Sequence, residues 1–454
     1  MDGALRGQRI VVLGFARQGQ ALARWLPGQG AEVVVSDARG PAEVGDLAAF
    51  PGVEFALGGH PESLLDGADL LCLSGGVPLE LEIVQAARRR GIPLSNDAQL
   101  FLERCPAPVI GITGSAGKTT TTTLCGDMLR QAGFKTWVGG NIGDVLLDAL
   151  AQIAPGDRVV MELSSFQLDI MTASPPVAAV LNITPNHLDR HGTMAAYTRA
   201  KAQMIAHQDS GGLAVLGRDD PGSRQLAASA ARGVSWFSRR EMLADGAFLA
   251  GQRLLVAGLS SVDGAPHVVC ERGDLRLRGD HNVLNALAAC AIAGAAGAAP
   301  TAMAAAISAF DGVAHRLEVV RTLGGVTWIN DSIATAPERV TAALRSFDEP
   351  LVLLAGGKDK QLPWAEMIAL ALTKARHIVA FGHAGPLVVE TVRQVAGDAG
   401  AVTRVETLAQ AVALARTLAQ PGDVVLLSPG GTSYDAYRDF AQRGEHFRQL
   451  VNAL

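Results

Sequence analysis

The sequence predicts an α/β protein of three successive domains, with boundaries at 1–97, 98–312 and 313–454. Three observations carry this reading. Short apolar runs alternate with helical patterns along the whole chain, the order that gives largely parallel sheets. A glycine-rich turn, TGSAGKTT at 113–120, sits between the apolar stretch 108–112 and a helix-like segment at 121–131. The length, 454 residues, suits two to four domains that each bury a core.

The first domain opens with a strand at Arg9–Leu13, a turn from Gly14 to Gly19, and a helix from Gln20 to Leu26. A second strand, Glu32–Val35, ends near the acid Asp37, and a further strand at Asp69–Leu73 precedes the turn Ser74-Gly75-Gly76. This is a Rossmann-like βαβ pattern. The dinucleotide fingerprint G-x-G-x-x-G is not met, because Ala16 holds the second glycine position. The turn still leaves a helix N-terminus able to face a phosphate.

The central domain begins with the glycine-rich turn. A strand leading into such a turn, then Lys118 and Thr119, then a helix, is the physical form of a phosphate-binding loop. Backbone N–H groups face the anion, the lysine reaches the terminal phosphates, and the hydroxyl can join a Mg²⁺ shell. The strict pattern would require glycine where Ile112 stands. Strands at 158–161 and 178–181 follow, and 248–278 reads as a small β-insert. The apolar stretch Val283–Ala299 is mostly Ala and Gly and reads as a buried helix. The third domain offers strands at 326–329, 351–354, 378–381 and 424–427 with helices between them, a doubly wound pattern.

Composition excludes several classes. Charged residues are 18% and hydrophobic residues 48%, which rules out a disordered chain. A net charge of −5 argues against nucleic acid as a partner and against an anionic membrane surface. No stretch suggests membrane insertion or a signal peptide. The five scattered cysteines contain no C-x-x-C pair, which fits a reducing cytoplasm. The chain is expected to be cytoplasmic and monomeric.

Four further clusters carry chemistry. Glu162, in MELSSFQ, ends an apolar strand, where α/β sites form and where a carboxylate can take a Mg²⁺ beside a nucleotide. NITPNHLDRH at 182–191 also ends a strand and concentrates Asn, Asp and His. YTRAK at 197–201 lies on a helix just beyond. NDSIAT at 330–335 follows the strand ending at Ile329. Each alone has an ordinary structural explanation, as a helix cap, a surface histidine or a solvated lysine. Together, after strands in one nucleotide-binding chain, they point to a site.

These motifs, with VGGNIG (138–143), GDHNVLNALAA (279–289), HRLE (315–318) and SPGGTSYDAYRDFAQRGEHF (428–447), give the chain a resemblance to the Mur ligases of peptidoglycan synthesis, most closely the glutamate-adding branch. The resemblance runs through nearly the whole chain in order. It implies a Rossmann-like UDP-binding N-terminal domain, a central P-loop ATPase-like domain, and a C-terminal amino-acid-binding domain. It also implies ATP-dependent amide formation. ATP phosphorylates the carboxylate of UDP-N-acetylmuramoyl-L-alanine, and the amine of glutamate attacks the acyl phosphate, leaving ADP and phosphate. Two Mg²⁺ ions neutralise charge on the transferring group.

Residue roles follow from the same resemblance. Gly114, Ser115, Ala116, Gly117, Lys118, Thr119 and Thr120 cradle the ATP phosphates. Thr119 and Glu162 hold one metal, and His187 holds the second. Lys201 matches a lysine that is carbamylated by CO₂, which turns a cation into an anion beside Mg²⁺. Asn282, Asn285, Arg316 and Asp331 serve the adenine, ribose and phosphate end of ATP. Arg17, Gln18, Asp37, Ala38, Arg39 and Gly76 align with the uridine-diphosphate contacts, and Asn141 and Ser164 line the substrate's path. Thr335, Lys360, Ser433, Tyr434 and Phe440 are the amino-acid contacts. With the three ligands on three domains, ligand-driven closure is expected.

The sequence departs from the common pattern D-S-K-A-T-N, reading Asp331-Ser332-Ile333-Ala334-Thr335-Ala336-Pro337. An isoleucine replaces a cation near the amino-acid site, and Tyr434 stands where an aliphatic residue is usual. A related branch that adds L-glutamate resembles this variant, so L-glutamate is the favoured expectation, with D-glutamate as the alternative. Two rivals lie outside the branch. One is a ligase like folylpolyglutamate synthase, disfavoured by the UDP-type first domain. The other is a non-catalytic nucleotide-binding homologue, disfavoured by the intact Lys118, Glu162, His187 and Lys201.

Overall fold

The computed structural model describes residues 5–231, 233–261, 263–397 and 400–454, without the side chain of Asp189. Its contacts divide the chain into two compact units. One holds residues up to Leu275 together with Asp280–Phe310; the other holds Arg276–Gly279 and Asp311–Leu454.

The first unit contains two sheets. Five parallel strands, β1 (Arg9–Leu13), β2 (Glu32–Asp37), β3 (Val53–Leu57), β4 (Leu70–Leu73) and β5 (Leu94–Ser95), lie in the order β3-β2-β1-β4-β5. The order reverses at β1, so the turn after β1 opens onto the crevice where such sheets bind ligands. The first helix starts at Arg17, earlier than the apolar pattern suggests, because the Gly14 turn is tight. Gly14 adopts φ +84, and a Cβ on Gly19 would lie 1.8 Å from the Gly14 carbonyl oxygen, so both positions demand glycine.

The second sheet has nine strands. They are β6 (Val109–Thr113), β7 (Thr136–Gly140), β8 (Arg158–Glu162), β9 (Val177–Val180), β10 (Leu213–Gly217), β11 (Gly233–Ser238), β12 (Gly246–Ala250), β13 (Arg253–Ala257) and β14 (His267–Glu271). Their order is β14-β13-β12-β11-β10-β9-β6-β8-β7. The stretch expected to form a separate β-insert instead extends this sheet: β12 pairs parallel with β11, and β13 and β14 add antiparallel. Helix Asp280–Ala295 is buried along most of its length, as its Ala-rich sequence predicts. Ile10, Val12 and Leu22 share one continuous apolar cluster with Val159, Met161 and Leu168, so the two sheets of this unit rest on a common core.

The second unit is a six-stranded sheet of β15 (Glu318–Leu323), β16 (Val326–Asn330), β17 (Leu351–Gly356), β18 (Ala375–Phe381), β19 (Val402–Arg404) and β20 (Val424–Gly430), in the order β15-β16-β20-β17-β18-β19. Only β15 runs antiparallel to its neighbour. Leu353 and Leu426 face one apolar layer, and Leu354 and Leu427 face the other. Both faces are therefore covered, the arrangement expected of a doubly wound sheet. The helix-covered parallel strands place the carboxyl ends of β16, β17 and β20 side by side, at Asn330, Gly356 and Gly430.

Candidate active site

The chemistry of the first unit gathers at the carboxyl ends of β6, β8 and β9. β6 runs straight into Gly114-Ser115-Ala116-Gly117, and the next helix begins at Lys118. Gly117 takes φ +82, and a Cβ there would stand 2.2 Å from Asn285 Oδ1; a Cβ on Gly114 would press on Leu181. The loop is therefore shaped by glycine at both ends. Ser115 anchors it sideways. Its N–H donates to the Asn182 carbonyl at 2.9 Å, its hydroxyl donates to Thr184 O at 3.0 Å, and it lies 3.0 Å from Tyr197 Oη. Asn182 Oδ1 accepts from Ala116 N at 2.8 Å.

Around this loop the charged residues converge. Thr119 Oγ1 donates to Glu162 Oε2 at 2.9 Å, and Asn141 Nδ2 donates to Glu162 Oε1 at 2.9 Å. Lys118 Nζ and Lys201 Nζ both donate to the Gly114 carbonyl at 2.9 Å, and Lys201 also donates to Thr113 Oγ1 at 3.2 Å. Lys201 is only 1% exposed. Burial, reinforced by the nearby Lys118 charge, holds its amine well below the ordinary lysine range. A neutral amine is the form that reacts with CO₂.

His187 adopts φ 54 at the start of the short helix Leu188–His191 and packs edge-on to Phe166, centroids 5.2 Å apart. Ser164 caps the helix Ser165–Leu168, exchanging hydrogen bonds with Gln167. Asn285 donates to Asn282 Oδ1 at 3.0 Å. A cavity of about 300 Å³ opens beside the loop, lined by Ala116, Asn182, Asp219, Phe237, Arg239 and Asn285.

In the first domain's turn, Gly75 N donates to Gln18 Oε1 at 3.3 Å. Asp37 is engaged by Phe15 N at 2.7 Å and by Arg39 through its backbone and guanidinium, and that guanidinium holds the carboxyl well below its usual range. Ala38 lies between Asp37 and Arg39 in the loop after β2, and Gly76 lies in the turn after β4. Arg17 turns toward the end of β7 and the turn that follows it, where it donates to the carbonyls of Gly140, Asn141 and Gly143.

The second unit brings its own residues together. Asp331 is buried, accepts from Ser428 Oγ at 2.8 Å and Leu317 N at 3.3 Å, and is pushed up to about 7 by burial. Arg316 lies close enough to oppose that shift. Lys360 Nζ lies 3.4 Å from Thr335 Oγ1, and burial lowers its affinity for a proton. Ser433 is buried, Phe440 is partly exposed, and Tyr434 is 69% exposed, outside the packed set.

Two residues were not anticipated from sequence. Tyr197 holds Ser115, and the fully buried Arg443 ties Ser332 Oγ and O to the carbonyls of Gly431 and Thr432. The only available signal was their place inside the YTRAK and FAQRGEHF motifs. Among the described residues no group of three or more His, Cys, Asp and Glu side chains could hold a metal ion unaided. The donor set nevertheless suits a nucleotide-bound Mg²⁺: a hydroxyl and a carboxylate lie together at a phosphate loop, leaving the remaining positions to phosphate and water.

Comparison with known proteins fits this geometry. Residues 8–96 match the Mur ligase MurD-like N-terminal domain, 112–293 the Mur ligase middle domain, and 315–431 the Mur ligase glutamate ligase domain. A UDP-N-acetylmuramoylalanine–D-glutamate ligase of Symbiobacterium thermophilum is 43% identical, with 100% of each chain covered. One of the same name from Pelotomaculum thermopropionicum is 42% identical, with 98% of each covered. Among solved structures, the UDP-N-acetylmuramate–alanine ligase of Thermotoga maritima has a TM-score of 0.58 at 20% identity, with 98% of this chain and 99% of that one covered. A pseudomurein peptide ligase of Methanothermus fervidus has a TM-score of 0.56 at 19% identity, covering 98% of this chain and 100% of that one. The chain belongs to the Mur ligase family. It is an ATP-dependent ligase that forms an amide bond in peptidoglycan synthesis.

Proposed function

We propose that this enzyme adds D-glutamate to UDP-N-acetylmuramoyl-L-alanine. The observation that carries the reading is the full-length match, across all three domains, to ligases named for that step. The sequence alone favoured L-glutamate; the relatives favour the D isomer instead. One observation keeps L-glutamate as a second reading: Ile333 offers no cation in the loop between Asp331 and Thr335, beside Lys360.

In this reading residues 1–97 bind the UDP moiety, 98–312 bind ATP, and 313–454 bind the amino acid. Thr119 and Glu162 would hold one Mg²⁺, and His187 with carbamylated Lys201 the other; the metals would offset charge on the transferring phosphoryl group. Lys118 and the loop N–H groups orient the phosphates. The Lys201 amine takes up CO₂ with loss of one proton, forming an N–C bond and an anionic carbamate. The burial of Lys201 supports that chemistry because it favours the neutral amine over the ammonium.

Gln18, Asp37, Ala38, Arg39 and Gly76 position the uridine diphosphate, and Asn141 and Ser164 the muramoyl peptide. Asn282, Asn285, Arg316 and Asp331 serve the adenine, ribose and phosphate end of ATP. Thr335, Lys360, Ser433, Tyr434 and Phe440 receive glutamate. The enzyme acts as a cytoplasmic monomer. Its free cysteines suit a reducing compartment.

The test is phosphate release with ATP, Mg²⁺ and UDP-N-acetylmuramoyl-L-alanine, with each glutamate isomer in turn. Turnover with D-glutamate supports the proposal. Turnover with L-glutamate alone transfers support to the second reading, and no turnover with either overturns both.

A further inference from the structure

We propose that Arg17 is a positioning residue that braces the turn carrying Asn141 and so fixes the orientation of the Glu162 carboxylate. The proposal rests on the reading of Glu162 as a metal-binding residue. Arg17 begins the first helix, Arg17–Trp25. Its Nη2 donates to Asn141 O at 3.2 Å and Gly140 O at 3.4 Å, and its Nη1 donates to Gly143 O. A guanidinium presents its donors in a rigid planar fork, so three carbonyls on one turn fix that turn's position relative to the helix.

The turn is joined in its own right to Glu162. Asn141 N donates to Glu162 O at 2.9 Å, and Asn141 Nδ2 to Oε1 at 2.9 Å. Thr119 occupies Oε2. Each carboxylate oxygen therefore has one fixed donor, one from the phosphate loop and one from the braced turn. Gly140 keeps φ +100, and a Cβ there would lie 2.5 Å from Glu162 O, so the turn begins from a strand end that sits tight against β8.

The route starts in the domain proposed to bind UDP and ends at the carboxylate beside the phosphate loop. It also reassigns Arg17. The resemblance implies a diphosphate contact, whereas the guanidinium here is spent on backbone carbonyls. Arg24, seven residues on and hence on the same helix face, pairs with Asp148 at 2.6 Å without touching the turn. Arg24→Met is therefore the control: it removes a contact from the same face and leaves the turn alone.

Amide hydrogen exchange on the ligand-free protein is the first test. Arg17→Met should speed exchange across residues 140–144 by roughly tenfold, the loss expected of a charge-assisted hydrogen bond, while Arg24→Met should not. In steady state, Arg17→Met should lower kcat and raise the Mg²⁺ concentration for half-maximal rate, with KM for the UDP-linked substrate nearly unchanged. Its effect should not multiply with that of Asn141→Ala, because both act through one link. Unchanged exchange at 140–144, or a raised KM for the UDP-linked substrate with intact kcat, would overturn the proposal. Absence of turnover in the unmodified enzyme would sink the functional reading but not this one, since the exchange experiment needs no substrate.

Discussion

Thr119 and Glu162 meet at 2.9 Å, hydroxyl to carboxylate, although they lie on different elements: the first turn of the helix after β6 and the last residue of β8. The parallel pairing of β6 with β8 sets Ile112 beside Glu162, which brings the acid level with the phosphate loop. Glu162 is 1% exposed, so its charge acts in a medium where electrostatic interactions are strong. Glu162→Gln keeps the shape and removes the charge. We expect kcat to fall by about 100-fold or more, as the loss of metal-linked charge stabilisation implies. Thermal unfolding should be unchanged or shifted upward. Full activity of the variant at low Mg²⁺ would refute the metal role.

Gly117→Ala tests the loop's geometry. The alanine backbone would have to hold φ +82, and its methyl group would collide with Asn285 Oδ1. The strain should cost roughly 1–2 kcal/mol of stability, and binding of a fluorescent ATP analogue should weaken at least as sharply. Unaltered nucleotide affinity would show that the loop does not bind phosphate in this conformation.

Lys201 gives a pH prediction with a definite sign. Its folded-state proton affinity is lowered, so between the folded pKa and the ordinary lysine value the unfolded chain holds more protons. Stability of the unmodified protein should therefore rise with pH across that window, and be penalised below it. Lys201→Met should lack this rise in CO₂-free urea melts. The same variant should be nearly inactive. Lys201→Ala should regain part of its rate with formate or acetate, which can occupy the carbamate's place; a fully active alanine variant would exclude the carbamate role.

Asp331 slopes the other way. Burial raises its carboxyl to about 7 from 3.8, so the folded state binds the extra proton between these values. Its contribution is most favourable below the lower value and is lost as pH rises through the upper one. Asp331→Asn should gain stability relative to the unmodified protein between pH 4 and pH 7. The gain is bounded at roughly 4 kcal/mol, since each tenfold change in proton affinity is worth about 1.4 kcal/mol. A constant difference across that range, measured by denaturant melts, would show that Asp331 is not the titrating group.

Much of this architecture was legible in the sequence, for identifiable reasons. The strand-to-loop-to-helix run at 109–131 declared itself because glycine, lysine and threonine have few other uses at that spacing. β1, β8 and β20 were visible as buried apolar runs. The 248–278 stretch was misjudged as an insert because short alternating strands do not reveal which sheet they join; pairing of β12 with β11 is a tertiary choice. The proposed site residues are read from motifs, whereas their partners have no such signal. Nothing local in the sequence links Arg17 to the carbonyls at 140–143, or Arg443 to Ser332, because those contacts span more than a hundred residues. Tyr434 matched a motif position yet stands largely in solvent.

The choice of glutamate isomer is decided by a competition experiment. Purified enzyme, ATP, Mg²⁺ and UDP-N-acetylmuramoyl-L-alanine are incubated with racemic glutamate, and the isomer incorporated into the UDP-linked product is identified by chiral chromatography after hydrolysis. ATP-dependent incorporation of D-glutamate is expected. Incorporation of L-glutamate alone would contradict the stereochemical assignment and move attention to Ile333, and no incorporation of either isomer would contradict the assignment of glutamate-adding activity itself.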